Sequence, residues 1–132
     1  MQKLPEYVML ACGMVEDGNR ILFLTRKNKL GVEYFELPYA LLVRGDNPVT
    51  VLTKTFLLNT GIDAQVHEII YEAKHNVGSR KRKRFIPAVA FKVTSKSNRV
   101  FLSKEFSGFK WVPRDDVGKL KLAMQAEWLW QA

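Results

Sequence analysis

The stretch that decides the fold runs from Leu37 to Ile62 and reads LPYALLVRGDNPVTVLTKTFLLNTGI. Asp46 and Asn47 are both able to cap a helix N-terminus, Pro48 suits a first helical turn, and Gly61 suits the left-handed position just past a last one. This punctuation predicts a helix from Pro48 to Thr60. The interior pulls the other way, because Val49, Thr50, Val51, Thr53, Thr55 and Thr60 are β-branched and lose rotamer freedom in a helix. Length decides for the helix, since a strand that long without regular alternation is unusual. Ahead of it, Glu33 to Pro38 reads as a short extended segment, the residue before a proline being pushed out of helical geometry, and a loop through Arg44-Gly45 is expected to follow.

Working outward, Tyr7 to Val15 and Arg20 to Thr25 are two apolar, partly β-branched runs separated by Glu16-Asp17-Gly18-Asn19. Asp-Gly between such runs predicts a β-hairpin. Ala64 to His75 and Phe85 to Thr94 are strand-like and joined by Asn76-Val77-Gly78-Ser79 and a basic run, which predicts a long hairpin with a charged tip. A further strand is expected over Gly108 to Val112, and a final helix from Pro113 to about Trp130, with Leu120, Ala123, Met124 and Trp128 at helical spacing. Trp128 and Trp130 cannot both face inward on one helix, so the pair reads as a partner surface, a closing lid or a frayed tail.

The chain has 132 residues, 47% hydrophobic and 26% charged, which predicts one globular domain over residues 1–132, large enough to hold a core without disulfides. Apolar runs such as Tyr7 to Cys12 fall far short of a membrane span, and the run before Cys12 is too short for a signal peptide. With one cysteine, Cys12, no intramolecular disulfide forms, and a reducing cytoplasm fits best. Lys and Arg number 21 against 13 Asp and Glu, a net charge of +8, which favours anionic partners. Five of those cations form one unbroken run, Arg80-Lys81-Arg82-Lys83-Arg84.

The order of elements, and above all Leu37 to Ile62, resembles the Nudix (MutT-like) family, whose signature is G-x5-E-x7-R-E-U-x-E-E-x-G-U with U a bulky aliphatic residue. The alignment is gapless. Leu37-Pro38 matches the usual lead-in, Ala40 stands at the signature glycine and Asp46 at the first glutamate. Lys54 replaces the arginine, Thr55 the next glutamate, Leu58 and Asn59 the paired glutamates, while Phe56, Gly61 and Ile62 keep the frame. The resemblance covers roughly Tyr7 to Lys121. It implies an α+β fold with a mixed β-sheet flanked by helices, an α/β/α sandwich.

The family's glutamates converge on divalent metal ions bridging a pyrophosphate, because positions 55, 58 and 59 share one helix face. Here that face carries Val51, Thr55, Leu58 and Asn59 and no charge, whereas Val49, Leu52 and Phe56 are expected to face the core. The box is therefore degenerate. The leading expectation is a Nudix-fold protein without metal-dependent pyrophosphohydrolase activity that binds a nucleotide or nucleic acid and needs no cofactor. An alternative is an active hydrolase of a nucleoside-diphosphate-X substrate, with Mg or Mn held by Asp46, Glu36 and Glu105. Each has a plainer reading, Asp46 as a helix cap and Glu36 and Glu105 as solvated surface acids. A third expectation is a protein-binding scaffold or homodimer.

No zinc spacing, P-loop or dinucleotide fingerprint is present. His67 and His75 stand roughly 26 Å apart along one predicted strand and cannot share a metal. Arg80 to Arg84 reads either as an anion-binding tip, with Lys74, His75 and Lys92 near its base, or as a charged turn protecting a sheet edge. Phe85 and Phe91 read as base-stacking or core residues.

Overall fold

Gly18, with φ of 62°, makes the turn that its Asp-Gly setting predicts, between β1 (Tyr7–Asp17) and β2 (Arg20–Lys27). The computed structural model describes residues 6–131, with Trp130 and Gln131 as backbone alone. The remaining elements are β3 (Glu33–Glu36), β4 (Tyr39–Val43), α1 (Pro48–Thr60), β5 (Gln65–Asn76), β6 (Phe85–Thr94) and β7 (Gly108–Pro113). The expectation for the Trp130 side chain lies outside the described residues.

β1 and β2 pair only at Glu16↔Ile21 and Asp17↔Arg20 and then diverge. Beyond that junction β1 runs antiparallel to β4 and parallel to β6, whose other edge takes β5, while β2 is flanked by β3 and β7. The sheet is mixed and covered on both faces. Period-two alternation explains this directly: Leu10, Cys12 and Met14 of β1 enter one core cluster, and Ala11 and Val15 the other. Ile86, Ala88 and Ala90 of β6 separate from Val89, Phe91 and Val93 in the same way. Strands buried on both sides read as continuous apolar runs, as Leu10 to Val15 does.

α1 spans the residues that its caps predict. Asn47, rather than Asp46, is the cap, its Oδ1 accepting from Val49 and Thr50 N–H at 3.0 and 3.2 Å. Gly61 has φ of 70° and donates its N–H to Leu57 O. The β-branched interior is accommodated because Thr53, Thr55 and Thr60 donate their hydroxyls to the carbonyls four residues back, at 2.7, 2.9 and 2.6 Å. Leu52, Phe56 and Thr60 form the buried stripe, whereas Val49, expected with them, is 42% exposed. By angle it belongs with them, seven residues and about 20° from Phe56, but it stands in the first turn, at the end of α1.

Two further expectations are corrected. Tyr39 to Val43 is a strand and not a loop, because pairing with β1 from Cys12↔Tyr39 to Tyr7↔Val43 satisfies its backbone and buries Leu42. The final helix is two 3₁₀ segments, Arg114–Lys119 and Met124–Gln131, separated by an extended stretch. There Phe35 N–H donates to Lys121 O and Ala123 N–H to Phe35 O, so β3 pairs where a helix would have continued. Leu122, Ala126 and Trp128 are the buried residues of this end, and Met124 is exposed. No helix among the described residues is long and apolar enough to cross a membrane.

Gly13 of β1 faces α1, and a Cβ there would stand 2.2 Å from the Phe56 ring and 2.9 Å from Val93. Gly13→Ala should cost about 1–3 kcal/mol by overpacking, measured by urea denaturation, and adding Phe56→Leu should recover part of the loss. An unchanged midpoint in Gly13→Ala would contradict this packing.

Candidate functional site

The positions that align with the Nudix-box acids sit together on α1. Thr55 is half-buried with its hydroxyl proton committed to Val51 O, Leu58 is 75% exposed, and Asn59 is half-buried with its backbone carbonyl accepting Ser103 N–H. Lys54 is exposed, and Ala40 lies on β4 opposite Ala11. Magnesium takes hard oxygen ligands, carboxylates above all, in near-octahedral geometry. One hydroxyl, one carboxamide and a leucine do not fit it. Among the described residues, no three or more His, Cys, Asp or Glu side chains come together in a way that could hold a metal ion.

Of the three acids of the alternative set, two meet at one arginine and the third is held apart. Glu36 is buried, against its reading as a surface acid, because β3 turns it inward beside Arg26 of β2. Arg26 Nε donates to Glu36 Oε1, its Nη2 meets Glu105 Oε2 at 3.3 Å, and its guanidinium lies 4.4 Å from the Phe106 ring centre. Burial pushes the Glu36 carboxyl up from its ordinary pKa, against the hydrogen bond and charge of Arg26 that pull it down. Glu36 and Glu105 thus share one cation. Asp46 is occupied elsewhere, its Oδ2 accepting Val43 N–H at 3.0 Å in the turn before α1. Sequence reasoning missed Arg26. The signal was the ladder register, in which Arg26 faces Tyr34 and Leu24 faces Glu36, setting Arg26 and Glu36 on a diagonal.

Cys12 is buried, and burial pushes its thiol well above the ordinary range, so no thiolate forms there near neutral pH. The Trp128 indole N–H points toward it, and no oxygen or nitrogen acceptor among the described residues takes that proton.

A cleft of about 580 Å³ opens at the base of the β5–β6 hairpin. Lys74, His75 and Arg80 line it with Asn76 and Ser79, and Phe85, Met124, Glu127 and Trp128 complete its walls. Phe85 is 54% exposed and presents an unused aromatic face, whereas Phe91 is buried in the core. Burial lowers the His75 pKa, with Glu127 opposing, so the imidazole is neutral at pH 7 and the cleft's cations are Lys74 and Arg80. Lys92 lies further along β6 and does not line the cleft; His67 is engaged with Thr94 Oγ1 at 2.6 Å. Within the basic run, Arg84 is tied to Glu6 at 3.1 Å and to Tyr7 O, whereas Arg80, Lys81, Arg82 and Lys83 are exposed and make no ion pair among the described residues.

No protein-family model matches the sequence, and no curated protein does either. Solved structures do match. The solution structure of the E. coli ORF135 protein superposes with a TM-score of 0.71 at 16% identity, over 97% of this chain and 93% of that one. The E. coli dihydroneopterin triphosphate pyrophosphohydrolase gives 0.69 at 12% identity, over 92% of this chain and 90% of that one. The NUDIX domain of Shewanella oneidensis NrtR, solved with ADP ribose, gives 0.67 at 14% identity, over 97% and 85%. At these identities the likeness establishes the fold: the chain is an α+β protein whose mixed sheet and helices have the Nudix arrangement.

Proposed function

We propose that this Nudix-fold chain binds a nucleotide, or a nucleic acid through one nucleotide, in the cleft beneath the β5–β6 hairpin, and does so without metal-dependent pyrophosphate hydrolysis. The observation that carries the reading is the side-chain set on α1, where Thr55, Leu58 and Asn59 stand in place of three carboxylates. Without them the Coulombic attraction for a divalent ion is largely gone, and neutral oxygens do not replace it. Glu36 and Glu105 do not substitute, because Arg26 already occupies an oxygen of each and sets a positive charge between them that repels a cation.

The cleft supports the binding half of the reading. A nucleotide offers an aromatic base and an anionic phosphate, and the cleft offers the Phe85 face for the first and Lys74 and Arg80 for the second. Ser79 adds a hydroxyl that can donate to a base or sugar while it accepts from Arg82 N–H. The NrtR domain's complex with ADP ribose makes that compound a reasonable first probe.

Two outcomes test the reading. Calorimetric titration with magnesium or manganese should give no binding to the wild type, which should leave ADP-ribose intact in either metal. Combining Thr55→Glu, Leu58→Glu and Asn59→Glu should lower the melting temperature in chelator, by repulsion within one and a half turns, and restore it in millimolar magnesium. Metal-dependent cleavage by the wild type would sink this half of the proposal. Separately, ADP or ADP-ribose should bind in metal-free buffer, and Phe85→Ala should weaken that binding about tenfold, loss of base stacking being worth roughly 1–3 kcal/mol. Wild-type affinity unchanged in Phe85→Ala would place the nucleotide elsewhere.

A further inference from the structure

Four cations crowded at one hairpin tip repel one another, and a turn that only shields a sheet edge has no need to hold them in a fixed shape. This tip is held. Asn76 Oδ1 accepts from both Gly78 N–H and Arg84 N–H at 2.9 Å, and Asn76 Nδ2 donates to Ser79 O. Ser79 Oγ accepts Arg82 N–H at 2.9 Å, Ser79 N–H donates to Arg82 O, and Val77 N–H donates to Arg84 O. The loop folds back so closely at Gly78 that a Cβ there would stand 2.1 Å from Arg82 O. Arg84, pinned to Glu6 and Tyr7 O, anchors the run at its strand end. The backbone is therefore set before any ligand arrives, and the charges of Arg80 to Lys83 are presented together.

The tip is also continuous with the cleft. Arg80 lines the cleft, while Lys81, Arg82 and Lys83 do not. A nucleotide seated on Phe85 reaches Arg80 with its own phosphate and leaves three adjacent cations without an anion. Successive phosphates of one strand stand only about 3.4 Å apart along a helix axis, so three or four adjacent cations meet more than one of them. A cavity that accepts one base face needs that base unstacked, which a duplex does not offer and a single strand does.

We propose that the cleft's occupant is one terminal or looped-out nucleotide of a single-stranded nucleic acid, whose neighbouring phosphates lie along Arg80, Lys81, Arg82 and Lys83. This rests on the reading above that the cleft holds a nucleotide. Base stacking on Phe85 supplies the single-strand preference, and the tip supplies affinity without sequence information.

The test is fluorescence anisotropy with labelled eight-nucleotide RNA and DNA strands, with ADP and inorganic polyphosphate as competitors. A strand should bind at least tenfold tighter than ADP at low salt, with a log-log salt slope of about −3 for four phosphates neutralised. Combining Lys81→Ser, Arg82→Ser and Lys83→Ser should lower the magnitude of that slope by about two and weaken strand binding tenfold or more while leaving ADP affinity unchanged. Phe85→Ala should weaken both ligands. Tight binding of either RNA or DNA supports the proposal, the tighter of the two naming the sugar. Overturning it takes any of three results: ADP binding that gains nothing with strand length, strand binding indifferent to Phe85→Ala, or polyphosphate competing as well as a strand of equal charge. Failure to bind ADP and strands alike would sink the nucleotide reading itself. Melting curves of the triple variant should match the wild type, since the replaced side chains are exposed.

Discussion

The rest of the structure depends on the absence of a side chain at Gly13. Phe56 occupies the space that a Cβ would fill, so α1 lies closer to β1 than any side chain at that position allows without a shift of the Phe56 ring. With Phe56 seated, Leu52 and Ile62 complete the same cluster with Ala11, Val15, Val89 and Val93, and α1 becomes the lid of one sheet face. The end of α1 is then joined to a distant segment, since Thr60 O and Asn59 O accept the N–H groups of Phe101 and Ser103. That segment leads to Glu105 and Phe106, which reach Arg26. One close approach therefore fixes a helix, a loop and a charged cluster.

The charges sort into two populations. Several acids hold a cation: Glu36 and Glu105 share Arg26, Glu16 takes Arg114, Asp17 takes Arg20, Asp116 takes Lys119 and Glu6 takes Arg84. Exposed pairs of this kind contribute little stability each. The unbroken run Arg80 to Lys83, outside those pairs, puts four positive charges side by side at the mouth of the neighbouring cleft.

Local signals were legible in the sequence and distant pairings were not. The ends of α1 were readable because Asn47, Pro48 and Gly61 each act within one turn, through a cap, a preset φ and a left-handed residue. The β1–β2 turn was readable for the same reason. β4 and the extended stretch before Met124 were not, because each takes its shape from a partner far along the chain, β1 for one and Phe35 for the other. Glu36 was misread as a surface acid because its burial depends on Arg26, ten residues away across a strand register that the sequence does not print. Of the candidate site, the basic run and the missing box carboxylates were visible as composition; the cleft was not, since Met124, Glu127 and Trp128 reach it only by way of the corrected C-terminal segment.

The two sheet faces keep α1 and the β5–β6 cleft apart. α1 and its altered box pack on the face that holds Leu52 and Phe56, whereas Trp128 at the cleft belongs to the opposite cluster, with Ile86, Ala88 and Leu10. The sheet stands between them. Thr55, Leu58 and Asn59 lie outside the buried stripe of Leu52, Phe56 and Thr60 that seats α1 on the sheet, so the scaffold does not depend on which side chains those three positions carry. A scaffold that does not shift keeps the β5–β6 hairpin, and with it the cleft and the ordered tip, in register. The side chains of α1 and those that line the cleft therefore answer to different packing, and a change confined to one sheet face leaves the other in place.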